Sequence, residues 1–197
     1  MTRADEAWQR LIQGNVRFAS GKMQHPDLSL ERRMEILKGQ QPFAVVLGCS
    51  DSRVPPELIF DQGLGALFVV RTAGHVLDRV ALESLEYAVS HLDAPLVVVL
   101  AHSDCGAVTA AVSQRDAPPG TVNRLVSEIL PAVEQAAPLP GDIVTHASKI
   151  HARRTAEKLS SGSLEIDDSG RSGSLPAVPA YYELETGLVE PLSEIHD

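Results

Sequence analysis

Three short apolar runs, at residues 43–47, 66–70 and 96–101, form the clearest hydrophobic pattern in the chain. Each run is continuously apolar instead of alternating with polar residues, which is typical of strands buried on both faces of a parallel sheet. Helical patterns separate the runs: one begins near Pro56, and another begins at Asp78, whose side chain can cap a helix. The alternation of strand and helix predicts an α/β fold, with a mostly parallel central sheet flanked by helices.

The rest of the chain also alternates between predicted helices and strands, but its apolar positions are less regular. Residues 105–114 and 122–135 have apolar positions at helical spacing. Residues 160–175 are rich in serine, glycine and acidic residues and predict a polar loop. A strand is predicted over 177–184, followed by a turn and a short return strand at 188–189.

The N-terminal part, residues 1–38, predicts a helical arm that precedes the sheet. Apolar residues recur at helical spacing in its first helix, at Trp8, Leu11, Ile12 and Val16. Gly21 breaks this helix. A shorter helix follows, with apolar positions at Leu30, Met34 and Leu37. Such a helix often packs on a neighbouring element or on a partner subunit.

Length, composition and charge limit the function classes. The 197 residues suit one domain spanning 1–197, and 44% hydrophobic with 22% charged residues is ordinary for a globular protein. The net charge of −9 argues against nucleic-acid and anionic-membrane partners, because both require a basic surface. No apolar run approaches the ~20 residues of a membrane span, and the first residues lack the apolar segment of a secretory signal. We therefore expect a cytoplasmic protein.

Both cysteines of the chain, Cys49 and Cys105, closely follow predicted strands. In a cytoplasmic protein they are expected to be reduced, as buried apolar residues, reactive thiols or metal ligands. The first strand leads into Gly-Cys-Ser-Asp-Ser-Arg at 48–53, and the third leads into Ala-His-Ser-Asp-Cys-Gly at 101–106. Carboxyl ends of parallel strands meet at one edge of a sheet, so two sulfurs, the His102 imidazole and a carboxylate can converge there. That donor set suits tetrahedral zinc, Zn2+.

The two motifs also resemble the signature of a known family. Cys-Ser-Asp-Ser-Arg followed by His-x-x-Cys-Gly is similar to the pattern of β-class carbonic anhydrases, and the similarity covers residues 5–145, including the stretches at 60–74 and 86–89. The resemblance implies zinc-dependent, reversible hydration of carbon dioxide to bicarbonate and a proton, with zinc-bound hydroxide as the nucleophile. It also implies that the zinc ligands are Cys49, His102 and Cys105.

By the same resemblance, Asp51 and Arg53 form the catalytic pair. Arg53 holds Asp51 off the metal in the active state, and Asp51 becomes the fourth zinc ligand in the closed state only. In the active state Asp51 is expected to accept a hydrogen bond from the zinc-bound hydroxide. Two thiolates donate more charge to zinc than neutral imidazoles do, so we expect activity to climb between neutral and mildly alkaline pH.

The resemblance further implies a substrate site for carbon dioxide and bicarbonate, which includes Gly106. Phe68, Ala73 and Tyr87 match positions of an apolar wall for carbon dioxide. Gln40 matches a glutamine that hydrogen-bonds the substrate. In the family some of these residues come from the neighbouring subunit, so the expected assembly is a homodimer or a tetramer. Without the family, Phe68 and Tyr87 would be interpreted as core residues.

Several positions depart from the family pattern. Val46 stands where some members carry a tryptophan of an inhibitory bicarbonate site, which groups this chain with the unregulated members. Ala101 replaces a common glycine before His102. His75 stands where asparagine is frequent, and its expected role is proton transfer or, in preference, a structural hydrogen bond. The polar stretch at 160–175 replaces a helix that usually leads into the last strand.

Three other functions could use the same residues. An enzyme with this fold and these ligands could hydrolyse carbonyl sulfide or carbon disulfide, because pocket shape decides between such substrates. A non-catalytic scaffold stabilised by zinc is disfavoured by Asp51, Arg53 and Gln40, since a structural site usually has four fixed ligands and no such pair. A cysteine nucleophile assisted by His102 would keep its activity after zinc removal.

Overall fold

The computed structural model describes residues 1–24, 28–117, 123–161 and 175–192. Its five strands are β1 (Ala44–Cys49), β2 (Leu67–Thr72), β3 (Val97–His102), β4 (Ala177–Tyr182) and β5 (Val189–Pro191). They form one sheet in the order β2-β1-β3-β4-β5. The first four strands are parallel and β5 is antiparallel to β4, which confirms the predicted α/β fold with a mostly parallel sheet.

Seven α-helices accompany the sheet within the described residues. They are α1 (Arg3–Ala19), α2 (Leu30–Glu35), α3 (Pro56–Ile59), α4 (Arg79–His91), α5 (Gly106–Ser113), α6 (Arg124–Ala136) and α7 (Ile143–Ser161). The predicted cap of α4 is present, because the Asp78 side chain accepts a hydrogen bond from the Ala81 amide. None of these helices has the length and apolarity needed to cross a lipid bilayer.

Alternate residues of the central strands pack against different helices. Val46 and Val98 belong to a core cluster that α1, α3, α5 and α6 share. Val45 and Val99 belong to a second cluster with α4 and α7. Burial on both faces of the sheet explains why the strand sequences are continuously apolar.

The strands extend further towards their carboxyl ends than the apolar runs predicted. β1 and β3 end at Cys49 and His102, and both residues remain paired in the sheet, with Thr72 and Tyr182. Main-chain pairing continues through these residues because it does not depend on side-chain polarity. Two candidate metal ligands are therefore part of the sheet itself.

The helical arm is present, but one chain covers only part of its apolar surface. In α1, Trp8 and Leu11 are buried, while Val16 is 53% exposed. The apolar positions of the second helical segment are 60%, 60% and 71% exposed, at Leu30, Met34 and Leu37. The apolar side of this segment therefore has no complete cover among the described residues.

A buried amide joins α1 to the last part of the sheet. Asn15 Nδ2 donates to the carbonyls of Ile59 and Gly187, at 3.2 and 2.8 Å. Asn15 Oδ1 accepts the amide N–H of Val189 at 2.8 Å. All three bonds are buried, so this side chain fixes the start of β5 against the N-terminal helix.

The helix α7, which is 19 residues long, was not predicted from the sequence. Its buried positions are small or polar, so its apolar stripe is weak: Ala147, Ser148, His151, Ala152, Thr155, Ala156 and Leu159. The helix ends at Ser161, so the first two residues of the predicted loop at 160–175 are helical. That the stretch replaces a helix before the last strand stays a prediction. Residues 162–174 of that predicted loop lie outside the described residues.

Candidate metal centre

Two sulfurs and one imidazole nitrogen converge at the carboxyl edge of the sheet. Cys49 ends β1, His102 ends β3, and Cys105 is the N-cap residue of α5. Their ligand atoms lie within 4.8 Å of one another, and the two Sγ atoms are 3.9 Å apart. The convergence follows from topology, because β1 and β3 are parallel neighbours whose carboxyl ends share one edge.

The His102 ring presents a free nitrogen to this group. His102 Nδ1 lies 2.7 Å from the Ser103 carbonyl oxygen. A carbonyl can only accept, so the proton of the neutral ring is on Nδ1 and the lone pair is on Nε2. His102 Nε2 is buried and has no hydrogen-bond partner in the structure. A metal ligand has this arrangement, and two sulfurs with one such nitrogen suit zinc.

The surroundings of Cys49 favour its thiolate form. Hydrogen bonds from the Cys105 thiol and from the Asp51 and Gly74 amides hold the pKa of Cys49 well below its usual value. The two amides lie 3.4 and 3.2 Å from Cys49 Sγ. The pKa of Cys105 is raised, because its thiol retains the proton that the two sulfurs share. A divalent cation displaces such a proton, since it binds thiolates.

A bidentate ion pair lies beside the three donors. Arg53 Nε and Nη2 donate to the two carboxylate oxygens of Asp51, at 3.0 and 2.7 Å. Arg53 Nη2 also donates to the Asp104 carbonyl at 3.1 Å. These hydrogen bonds from Arg53 hold the pKa of Asp51 well below its usual range, so Asp51 is a carboxylate at physiological pH. Because both oxygens face Arg53, Asp51 is not one of the clustered donors.

Arg71 supports the same loop, and sequence reasoning missed it. Arg71 is on β2, where its Nε donates to the Cys49 carbonyl at 2.8 Å and its Nη2 donates to the Asp51 carbonyl at 2.5 Å. One guanidinium thus fixes the backbone on both sides of Ser50. Its position near the end of a strand beside the motif was the available signal.

The predicted substrate residues divide between two places in the chain. Ala73 and Gly106 lie next to the metal donors, Ala73 directly before the Gly74 amide and Gly106 directly after Cys105.

Phe68 and Tyr87 lie elsewhere, as a ring pair with centroids 6.2 Å apart between β2 and α4. Phe68 pairs with Val45, four residues before Cys49 on β1, which is about 13 Å along the strand. Gln40 precedes β1 and is exposed. One chain therefore does not bring Gln40, Phe68 and Tyr87 to the metal donors.

His75 lies behind the donors in a strained turn. Its backbone has φ 46°, and its side chain is 1% exposed. Neither ring nitrogen has a hydrogen-bond partner in the structure, so the structural hydrogen bond expected for His75 is absent among the described residues. The ring instead packs against the His151 ring of α7 in a tilted stack, with centroids 4.6 Å apart and ring planes inclined by 38°. This pair was not predictable from the chain's hydrophobic pattern, because α7 itself was not predicted.

Known proteins resemble this chain over most of its length. The family model described as carbonic anhydrase matches residues 44–189. Carbonic anhydrase 2 of Mycobacterium tuberculosis is 44% identical over 184 residues, which are 92% of this chain and 89% of that protein. The carbonic anhydrase of Mycolicibacterium smegmatis is 42% identical over 194 residues, 97% of this chain and 94% of that protein.

Solved structures of β-carbonic anhydrases share the fold. The Coccomyxa β-carbonic anhydrase in complex with acetazolamide has a TM-score of 0.69 and 25% identity, covering 92% of this chain and 84% of that chain. A tetrameric β-carbonic anhydrase from Sordaria macrospora has a TM-score of 0.66 and 20% identity, covering 95% of this chain and 98% of that chain.

Proposed function

Because the chain belongs to the β-class carbonic anhydrase family of enzymes, we propose that it catalyses the reversible hydration of carbon dioxide at a zinc ion held by Cys49, His102 and Cys105. The products are bicarbonate and a proton. One observation carries the proposal: two sulfurs and an unpartnered imidazole nitrogen lie within 4.8 Å of one another at a buried sheet edge.

Zinc bound there supplies an acidified water molecule as the nucleophile. The protein stabilises the ligand set that this requires. The Gly74 and Asp51 amides donate to Cys49 Sγ. The amides of Val108 and Ala107, at the start of α5, favour the thiolate of Cys105. The Ser103 carbonyl fixes the tautomer of His102.

Asp51 orients the nucleophile by accepting its hydrogen bond at a carboxylate oxygen. Its low pKa keeps it an acceptor through the working pH range, because the Arg53 guanidinium stabilises the carboxylate. Two arginines fix Asp51: Arg53 binds its side-chain carboxylate, and Arg71 binds its main-chain carbonyl. Such preorganisation matters because a small displacement of an orienting group slows the reaction greatly.

The substrate wall is completed by a second copy of the chain. Ala73 and Gly106 come from the subunit that holds the metal, and we assign Gln40, Phe68 and Tyr87 to the partner. The exposed apolar residues of the helical arm support self-association, because the described residues of one chain do not cover them. A homodimer is the smallest assembly that this requires, and the similar protein from Sordaria macrospora is tetrameric.

We assign the enzyme to the cytoplasm because both proposed thiolate ligands must remain reduced. Cys49 and Cys105 are free thiols, although their sulfurs are close enough for oxidation to compete with metal binding. A reducing compartment prevents that competition.

Metal analysis combined with a carbon dioxide hydration assay tests the proposal. The purified protein is expected to contain one zinc per chain, to lose activity with a chelator and to regain it with zinc. Carbonyl sulfide and carbon disulfide are assayed in parallel, and faster turnover of either would reassign the substrate. Activity that survives zinc removal but not thiol alkylation would instead identify a cysteine nucleophile.

A further inference from the structure

A tight turn at residues 72–76 brings a backbone amide onto one of the sulfurs. Thr72 Oγ1 donates to the Val76 carbonyl at 2.7 Å and closes the turn. Gly74 and His75 both have left-handed backbones, with φ of 62° and 46°. This conformation directs the Gly74 N–H to Cys49 Sγ, at 3.2 Å. For a residue such as His75 the left-handed conformation is unfavourable, so other contacts must hold the turn.

One side of the turn is held by close packing. A Cβ atom on Gly74 would lie 2.9 Å from Ala107 Cβ and 3.0 Å from Ile129 Cδ1. The distance to Ala107 Cβ is shorter than real Cβ contacts allow and the distance to Ile129 Cδ1 is tight, so Gly74 lies directly against α5 and α6. This contact prevents the turn from moving towards those helices. Another group must prevent the turn from moving away from them.

The other side of the turn is held by the stack of His75 on His151. The side chains are 1% and 5% exposed, and their ring planes are inclined by 38°. The Gly74 backbone also makes a polar contact with His151. The stack thus links α7 to the residue that donates to Cys49 Sγ.

The stack is uncharged. Burial, then the proximity of His151 and His102, lowers the pKa of His75 well below its usual value. Burial also lowers the pKa of His151 to about 4. Three of the four ring nitrogens have no hydrogen-bond partner in the structure, namely both of His75 and Nε2 of His151. Buried polar atoms without partners are unfavourable, so two apolar side chains would be expected here if stability alone mattered.

We propose that the stack of His75 on His151 positions the Gly74 amide on Cys49 Sγ and thereby sets how much negative charge this sulfur donates to the metal. The inference rests on the proposed function, since it assumes a metal bound by Cys49, His102 and Cys105. A hydrogen bond to a thiolate withdraws charge from the sulfur, which leaves the metal more electron-poor and a better acid for water. His75 and His151 are positioning residues, because they act through Gly74.

Cobalt substitution measures this charge donation directly. Cobalt(II) bound by thiolates has a sulfur-to-metal charge-transfer absorption, which shifts to longer wavelength when the sulfur loses a hydrogen bond. We compare His151→Ala, which removes the stacked ring, with His151→Phe, which keeps a ring. The Ala variant is expected to shift the band to longer wavelength. The Phe variant is expected to restore the wild-type band.

Two further variants separate positioning from general stability. Leu159→Ala removes a fully buried side chain from the same helix, away from the stack. It is expected to lower the melting temperature without moving the band. His75→Asn keeps a residue that tolerates the left-handed backbone but removes the stack. Its band shift is expected to equal that of His151→Ala and not to increase in the double variant, because the two rings act as one unit.

The outcomes distinguish the inference from the proposed function. An unchanged band in His151→Ala, an equal shift in Leu159→Ala, or additive shifts in the double variant would each overturn the positioning role while leaving the metal site intact. A wild-type protein that binds cobalt(II) without any sulfur charge-transfer band would overturn the proposed ligand set itself.

Discussion

The carboxyl and amino edges of the central sheet differ in how their functional side chains are held. At the carboxyl edge, Cys49 and His102 are 5% and 1% exposed, and Asp51 is fixed by a bidentate arginine. Towards the amino edge, Gln40 is exposed and Tyr87 is 46% exposed. One chain therefore organises the metal donors completely, whereas it leaves most of the expected substrate wall facing outwards. Under the proposed function, this difference assigns the metal chemistry to a single chain and places Gln40, Phe68 and Tyr87 of the substrate wall in the partner subunit.

The largest expected effect comes from removing a donor at the carboxyl edge. Cys105→Ala deletes a sulfur, and the two remaining donors are too few to retain zinc. We expect zinc content near zero and hydration at the uncatalysed rate, measured by metal analysis and a stopped-flow assay. Ser113→Ala, at the end of the same helix, is the control and is expected to behave as wild type. Full activity in the Cys105 variant would exclude the proposed ligand set.

Asp51→Asn is expected to have the next largest effect. The amide keeps the shape of the side chain but loses the charge that accepts a hydrogen bond from the nucleophile. We expect kcat/KM to fall about 10²-fold to 10⁴-fold while zinc content stays at one per chain. The matched variant Asp104→Asn changes an exposed carboxylate and tolerates the local φ of 53°. A similar loss in both variants would show a nonspecific charge effect.

Disrupting the helical arm tests the amino edge separately. Leu30→Asp places a charge on a side chain that is 60% exposed in one chain. If the partner covers this surface, sedimentation should show dissociation, and activity should fall about ten-fold or more with zinc retained. Arg33→Ala on the same short helix is the control. A dissociated protein with full activity would show that one chain contains the whole substrate site.

The pH dependence of activity sharpens the assignment of roles at the carboxyl edge. We expect hydration to climb by up to about ten-fold per pH unit between neutral and mildly alkaline pH, as the nucleophilic water loses its proton. Asp51 does not contribute to this climb, because its lowered pKa keeps it ionised throughout. A flat stopped-flow profile over this range would contradict the assignment of water as the titrating group.

The smallest expected effect is on stability in acid. Arg53 lowers the pKa of Asp51 in the folded protein, so the pair stabilises the fold above the unfolded value of about 3.9. This contribution is lost as the pH falls through the lower, folded value. Urea midpoints of wild type and Asp51→Asn should therefore differ at neutral pH and converge in strong acid. The difference should be small, since Arg53 is half-exposed.

Much of the carboxyl edge could be predicted from the sequence. The strands β1 and β3 are buried on both faces, so their continuous apolarity indicates a parallel sheet. Parallel strands bring their carboxyl ends together, and this rule alone places the sulfurs near His102. This prediction uses the local apolar pattern of the strands and the rule that the carboxyl ends of parallel strands share one edge.

The supporting contacts could not be predicted in that way. Arg71 acts on main-chain carbonyls, which have no sequence motif, so its position near the end of a strand was the sole indication of its role. The helix that carries His151 buries alanine, serine and threonine, so the hydrophobic period that identifies helices is weak there. The stack of His75 on His151 depends on that helix and on a left-handed turn. Neither of these two elements can be predicted from a single sequence.

The buried amide of Asn15 has a consequence for how the polypeptide is made. Its hydrogen bonds to Gly187 and Val189 join residues 172 and 174 positions apart, so the N-terminal helix is synthesised long before its partners. Until β5 leaves the ribosome, this amide lacks those partners and the edge of β4 is uncovered. A chain stalled before Val189 should therefore bind chaperones or aggregate, although the metal donors have already been translated.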